Sequence, residues 1–244
     1  MKEKKPRVFF AAFKYSIPVL LGYLAIGAAF GLMMADAGYA WWLSLVMSVV
    51  MFAGAGQYIA VGLFAAGTSV WEAALVQLVV NARHIAYGLS MIKRFDFPGF
   101  YKFYCVFGMT DETYALLSSL PEDGEGTIHI PGIADAIPAA SRSRFMFLVT
   151  LLNHGYWIAG SVIGAVAGQL IPLDVKGIEF AMTSLFIVLL IEQILRIRRP
   201  GIFVISAMAA ALGVFALPSN ISLLGALALA LAACAFMGKK AGAR

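Results

Sequence analysis

Two cysteines are all this sequence holds, Cys105 and Cys234, each set among apolar residues. They exclude a disulfide framework and offer no thiolate set for a metal. The three histidines, His84, His129 and His154, are scattered, so no imidazole cluster with metal-ligand spacing exists either. There is no HExxH, no GxSxG and no Gly-rich Lys loop for nucleotide phosphate, which argues against metalloprotease, serine-hydrolase and ATP-driven chemistry. The chain does not read as an enzyme, and neither a cofactor nor a metal is expected. Charge is also scarce: 13% of the 244 residues are charged and 61% are hydrophobic. That leaves too few polar side chains to cover a soluble globule of this size.

Long apolar runs are abundant. A helix needs roughly 20 apolar residues to cross the hydrocarbon of a bilayer, and the windows 16–35, 41–66, 70–92, 145–171, 178–195, 201–217 and 221–238 are of that order. A further segment, 101–120, is amphiphilic. The largest polar interval, 121–144, reads as a loop rich in Gly and Pro. The expected fold is all-α: a polytopic integral membrane helical bundle of seven or eight helical segments, some broken or re-entrant, in a single domain 1–244. The basic start of the chain resembles a signal peptide, but Lys14 interrupts its first apolar run, so the segment is expected to stay attached.

A pI near 9.2 could suggest nucleic acid. The basic residues instead flank the apolar windows, at Lys2, Lys4, Lys5, Arg7 and Lys14, at Arg142 and Arg144, at Arg196, Arg198 and Arg199, and at Lys239, Lys240 and Arg244. That is a positive-inside distribution, with both termini in the cytoplasm. Eight crossings would leave Lys93, Arg94 and Lys102 outside. Two windows between 41 and 120 that dip in and return would bring them inside. Six and eight crossings both remain open, and the irregular part lies in the first half.

Gly22, Tyr23, Gly27 and Gly31 recur as Gly155, Tyr156, Gly160 and Gly164 at one constant offset. This echo suggests a two-fold internal repeat of parallel sense, although small-xxx-small ridges also recur by chance in membrane bundles. Gly160, Gly164 and Gly168 are expected to mark a close helix contact, made with the chain's own helices or with another subunit.

Polar residues interrupt the apolar windows in four places. In VVNARHIAYGLSM (79–91), Gln77, Asn81, His84 and Gly88 share one helical face, and Arg83 and Tyr87 form a neighbouring pair. A charge near mid-membrane costs about 2.5 to 3.5 kcal/mol on insertion scales, so Arg83 is expected to face protein, water or a counter-ion, with snorkelling to the nearer interface as the alternative. Candidate counter-ions stand in FYCVFGMTDETYALLSS (103–119), at Asp111 and Glu112. Two acids and one Arg are far less costly together in the bundle interior than apart. The third interruption is AGAGQ, Ala53 to Gln57, where Gly54 and Gly56 weaken a helix. Unwound backbone at that depth is tolerated only in protein or beside a cavity; tight packing without a break is the alternative. Asn153 and His154 form the fourth, read as glue between helices.

The stretches FAGAGQYIAVGLFAAG (52–67), NARHIAYGLSM (81–91) and FGMTDETYAL (107–116) resemble the signature segments of the AzlC family, the large subunits of bacterial branched-chain amino acid exporters. The likeness runs from about residue 13 to the C-terminus. It implies an inner-membrane exporter of valine, leucine and isoleucine, with methionine as an extension, driven by the proton gradient and working with a small AzlD-type membrane subunit. For such a task Arg83, or backbone N–H groups around Gly54, Gly56 and Gln57, would hold the carboxylate of a zwitterion. Asp111 or Glu112 would take the ammonium group or exchange a proton for it. Asn81 and Tyr87 complete the polar lining and apolar side chains the rest. Asp111 and Glu112 are the better proton carriers, because a carboxyl group removed from water holds its proton more readily while a nearby guanidinium opposes this. His84 is the reserve. A passive channel for small polar solutes and a non-transporting scaffold subunit are the competing classes, and a homo-oligomer is an open assembly.

Overall fold

A computed structural model describes residues 8–171, apart from 98, 122, 124, 125 and 131–135. Beyond them it describes 200–216 and isolated positions between 180 and 232. The chain divides into two compact units, Met1–Ala181 and Met182–Arg244. The windows 178–195 and 221–238 lie essentially outside the described residues.

The first unit is built on two long helices, α1 (Val8–Asp36) and α7 (Arg142–Leu170), the latter entered through a 3-10 turn at Ala139–Ser141. These two are long and apolar enough to cross a bilayer. They pack on each other through their glycines. A Cβ on Gly27 would lie 3.1 Å from the backbone of Trp157 and Ser161, and one on Gly160 would lie 2.7 Å from the Tyr23 carbonyl oxygen. Gly31 faces the backbone of Ser161 and Ala165, Gly164 faces that of Ala28, and Gly168 meets Ala35. The expected close contact at 160, 164 and 168 is therefore made within the chain, and the two halves of the sequence echo face each other. Gly22 and Gly155, also part of the echo, have nothing near them.

Between these helices the chain forms shorter pieces. Helices α2 (Trp41–Val50) and α3 (Gly54–Ala65) share one apolar window, and α5 (Phe100–Phe107) and α6 (Asp111–Ser118) share another. At about 1.5 Å per residue, none of these four reaches across a hydrocarbon layer of about 30 Å. The segment 101–120 is thus a discontinuous helix with its break at Gly108–Thr110, and the window 41–66 is a second one.

Helix α4 (Val70–Met91) is continuous, and a reciprocal capping box between Ser69 and Glu72 starts it. The interval read as a polar loop carries an antiparallel bridge between Ile128 and Ile137. Both residues, with Ile130, are buried in the same core cluster as Phe145 and Met146 of α7, so these apolar positions belong to the core. In the second unit, α8 (Pro200–Ala216) is apolar apart from Ser206.

Candidate functional site

The two breaks are held by one stretch of α7. Phe52, in the first break, adopts a φ of +38°, a left-handed conformation rare for a bulky side chain. Its ring stacks on His154 with centroids 4.2 Å apart. His154 Nε2 lies 3.0 Å from the Ser48 carbonyl oxygen of α2, and its Nδ1 lies 2.7 Å from the Tyr104 hydroxyl of α5. Gly108, in the second break, packs against Thr150 of α7 and the Phe52 ring. One imidazole thus ties both broken helices to α7, as expected of helix glue.

The first break corrects the sequence reading by one turn. The unwound residues are Met51–Ala53, while Gly54 and Gly56 open α3. The Gln57 N–H is already bonded to the Ala53 carbonyl at 2.8 Å, so freed backbone donors are confined to the turn before it. Both glycines are small for packing reasons: a Cβ on Gly54 would lie 3.3 Å from the Trp157 ring, and one on Gly56 would lie 2.7 Å from Gln77 Oε1 and 3.0 Å from Asn81 Nδ2. Gln77 Nε2 donates to the Gly56 carbonyl at 2.7 Å, and Asn81 Nδ2 donates to Gln77 Oε1 at 3.0 Å. Gln57 is fully buried; its Oε1 accepts from Trp157 Nε1 at 2.9 Å, and its Nε2 donates to Ser48 Oγ at 3.2 Å. Gln57 and Asn81 thus support the break from within. Replacing Trp157 by Phe removes the donor and shrinks the buried indole to a phenyl ring, so the purified protein is expected to lose about 1 kcal/mol for the hydrogen bond and about 1 kcal/mol or more besides for the space left, seen as a lower melting temperature.

The second break carries the charge. Thr110 caps α6 by accepting the Thr113 N–H at 3.3 Å, and Asp111 and Glu112 fill its first turn, where the helix dipole favours anions. Arg83 Nη1 pairs with Asp111 Oδ2 at 2.8 Å, with the side chains 33% and 22% exposed. Tyr87 donates to Asp111 Oδ1 at 2.5 Å. The same stripe of α4 continues along α6: the Tyr87 and Tyr114 rings stack at 4.4 Å, Ser90 Oγ lies 3.1 Å from the Tyr114 hydroxyl, and Arg94 donates to the Leu117 and Leu120 carbonyls. Spacings of four and three residues keep Arg83, Tyr87 and Ser90 on one side of α4, and Arg94 follows in the turn after its end.

The expectation that both acids meet Arg83 is corrected in part. Glu112, one residue on and about 100° around the helix, turns to α1 and accepts from the Tyr23 hydroxyl at 2.6 Å. Tyr23 also lies 2.6 Å from Thr110 Oγ1. His84 is half-buried beside Tyr87, with ring centroids 6.0 Å apart. Two polar atoms here are buried without a hydrogen-bond partner, Asn81 Oδ1 and Arg83 Nε. Among the described residues no group of three His, Cys, Asp or Glu could hold a metal ion. Tyr23, named only as part of the small-residue echo, and Trp157 and Tyr104 were not legible as site residues, since an aromatic in an apolar run carries no polar signal of its own. Thr110 could have been found: a Thr directly before two acids is an N-cap signature.

Residues 18–171 match the family described as AzlC protein. The branched-chain amino acid transport protein AzlC of Bacillus subtilis is 34% identical over 90% of this chain and 84% of its own. A Helicobacter pylori protein named only as an uncharacterized membrane protein is 39% identical over 77% of this chain and 76% of its own. The inner membrane protein YgaZ of Escherichia coli is 27% identical over 84% and 80%. No solved structure matches.

Proposed function

The chain belongs to the AzlC family, and on that premise we propose that it exports branched-chain amino acids, valine, leucine and isoleucine, across a bacterial inner membrane. In this reading export is secondary-active and proton-coupled, and a small AzlD-type membrane subunit completes the transporter. The chain crosses the membrane several times with both termini in the cytoplasm, in keeping with its flanking basic clusters.

The observation that carries the proposal is the half-exposed Arg83–Asp111 pair at the break between α5 and α6. Broken helices inside a membrane protein present polar groups to a solute, and a zwitterion has the two charges that can insert into such a pair. Its carboxylate would take Arg83, whose Nε has no partner, together with the first-turn N–H groups of α3. Its ammonium group would take Asp111, with Tyr87 and His84 on the lining.

Cells loaded with a valine-containing dipeptide provide the test. Producing this chain with the small subunit is expected to lower intracellular valine, and collapsing the proton gradient is expected to stop the loss. Efflux that ignores the gradient would mark a passive pore, and no efflux would overturn the transport reading.

A further inference from the structure

We propose that Glu112, and not Asp111, loads and releases the coupled proton, and that Tyr23, Thr110 and Thr113 form a reversible hydroxyl chain carrying its protonation state to Asn153 on α7. The proposal rests on the transport reading above and divides the labour between its two acids.

Asp111 is committed on both oxygens, to Arg83 and to Tyr87. Protonating it would break the half-buried ion pair. Glu112 faces a neutral phenol. From there the contacts continue without a gap: Tyr23 to Thr110 at 2.6 Å, Thr110 to Thr113 at 3.0 Å, and Asn153 Nδ2 to Thr113 Oγ1 at 3.0 Å.

Each hydroxyl owns one proton, which restricts the chain to two ordered states. With Glu112 ionised, Tyr23 donates to it, and the proposed order continues with Thr110 donating to Tyr23 and Thr113 to Thr110. With Glu112 protonated, the order reverses: Glu112 donates to Tyr23, Tyr23 to Thr110, and Thr110 to Thr113. The geometry combines one link of each state: Tyr23 stands as donor to Glu112, as when the acid is ionised, and Thr110 stands as donor to Thr113, as when it is protonated. One proton joins the carboxylate, each hydroxyl keeps its own proton and rotates, and no proton leaves the chain. The reversal needs hydroxyl rotation and a small turn of the threonine side chains, since the present geometry suits Thr110 as the donor to Thr113.

The far end can follow. Asn153 is fully buried, and its Oδ1 has no hydrogen-bond partner. Turning the amide would offer that oxygen to the Thr113 hydroxyl, which needs a new acceptor once Thr110 donates to it. Asn153 adjoins His154, the imidazole that ties α2 and α5 to α7. Loading Glu112 is thereby felt next to the residue that holds both breaks.

The titratable and charged groups facing Glu112 are Tyr23 from α1, Arg83 from α4 and Asp111 on its own helix. His84 lies toward Arg83 and Asp111. From α7, His154 is engaged with Tyr104 and Ser48.

The test uses this chain with its small subunit in proteoliposomes, comparing valine counterflow at equal pH with gradient-driven efflux across a pH series. In Glu112→Gln, counterflow is expected to persist while gradient-driven efflux falls by about 100-fold or more. Tyr23→Phe and Thr113→Val interrupt the chain and leave the acid in place. Each is expected to keep counterflow and displace the pH midpoint of efflux by about one unit.

Gradient-driven efflux retained in Glu112→Gln, or counterflow lost with it, would overturn the proposal. So would wild-type pH profiles in both Tyr23→Phe and Thr113→Val. Absence of gradient-driven efflux in the unmodified protein would instead sink the transport reading on which the proposal rests.

Discussion

Replacing Arg83 by Gln, or Asp111 by Asn, is expected to cut valine efflux by about 100-fold or more, because each leaves the other charge unmatched inside the bundle. Removing one partner of a buried pair costs about 3 to 5 kcal/mol, and about 1.4 kcal/mol is a factor of ten. The pair here is partly open, at 33% and 22% exposure, which places the folding penalty at the low end of that range. The double variant separates the pair's two duties. With both charges gone the fold is expected to recover, since two neutral amides can bond to each other, while efflux stays lost because nothing holds the zwitterion's charges. Monodispersity in detergent and efflux from loaded cells measure the two. A double variant that transported at the original rate would reduce the pair to a structural link.

The other large effect concerns α1 and α7. A Cβ on Gly164 would overlap the Ala28 backbone, and one on Gly31 that of Ser161 and Ala165. Overpacking usually costs about 1 to 3 kcal/mol when side chains can adjust. Here the obstacle is backbone, so the helices themselves must separate, and the residues of α7 that hold both breaks would move with them. Gly164→Val is expected to abolish the monodisperse folded protein, and Gly31→Val likewise. Gly22→Ala and Gly155→Ala supply the contrast. Both positions are helical with open space around them, and Ala in a helix interior is favoured over Gly by about 1 kcal/mol. These two are expected to fold as well as the original or better, as thermal melting in detergent would show. Equal tolerance at all four positions would contradict the packing described.

The same four glycines show how far the sequence could be read. Its small-residue ridges pointed to a tight helix pair, and the pair is there. Which partner each ridge meets became legible only with α1 and α7 side by side. The apolar windows 16–35 and 145–171 foretold the long helices because burial and lipid both demand uninterrupted hydrophobicity. The break near Gly54 was visible as helix weakness, yet it falls at Phe52, since packing against Trp157, Gln77 and Asn81 requires the glycines within α3. Local propensity names residues able to unwind, and tertiary contacts choose among them. Arg83 announced its need for a counter-ion. That Asp111 answers it while Glu112 turns to Tyr23 follows from the angle between successive helical residues, which acquires meaning only when the neighbouring helices are in place.

The assignment of the Arg83–Asp111 pair as the amino acid site is tested most directly by substrate protection next door. With Cys105 and Cys234 replaced by Ser and His84 by Cys, a charged thiol reagent is expected to label position 84 in membranes. Valine at about ten times its dissociation constant should slow that labelling by about tenfold. Labelling that proceeds at the same rate with and without valine, or a thiol that no aqueous reagent reaches, would contradict it.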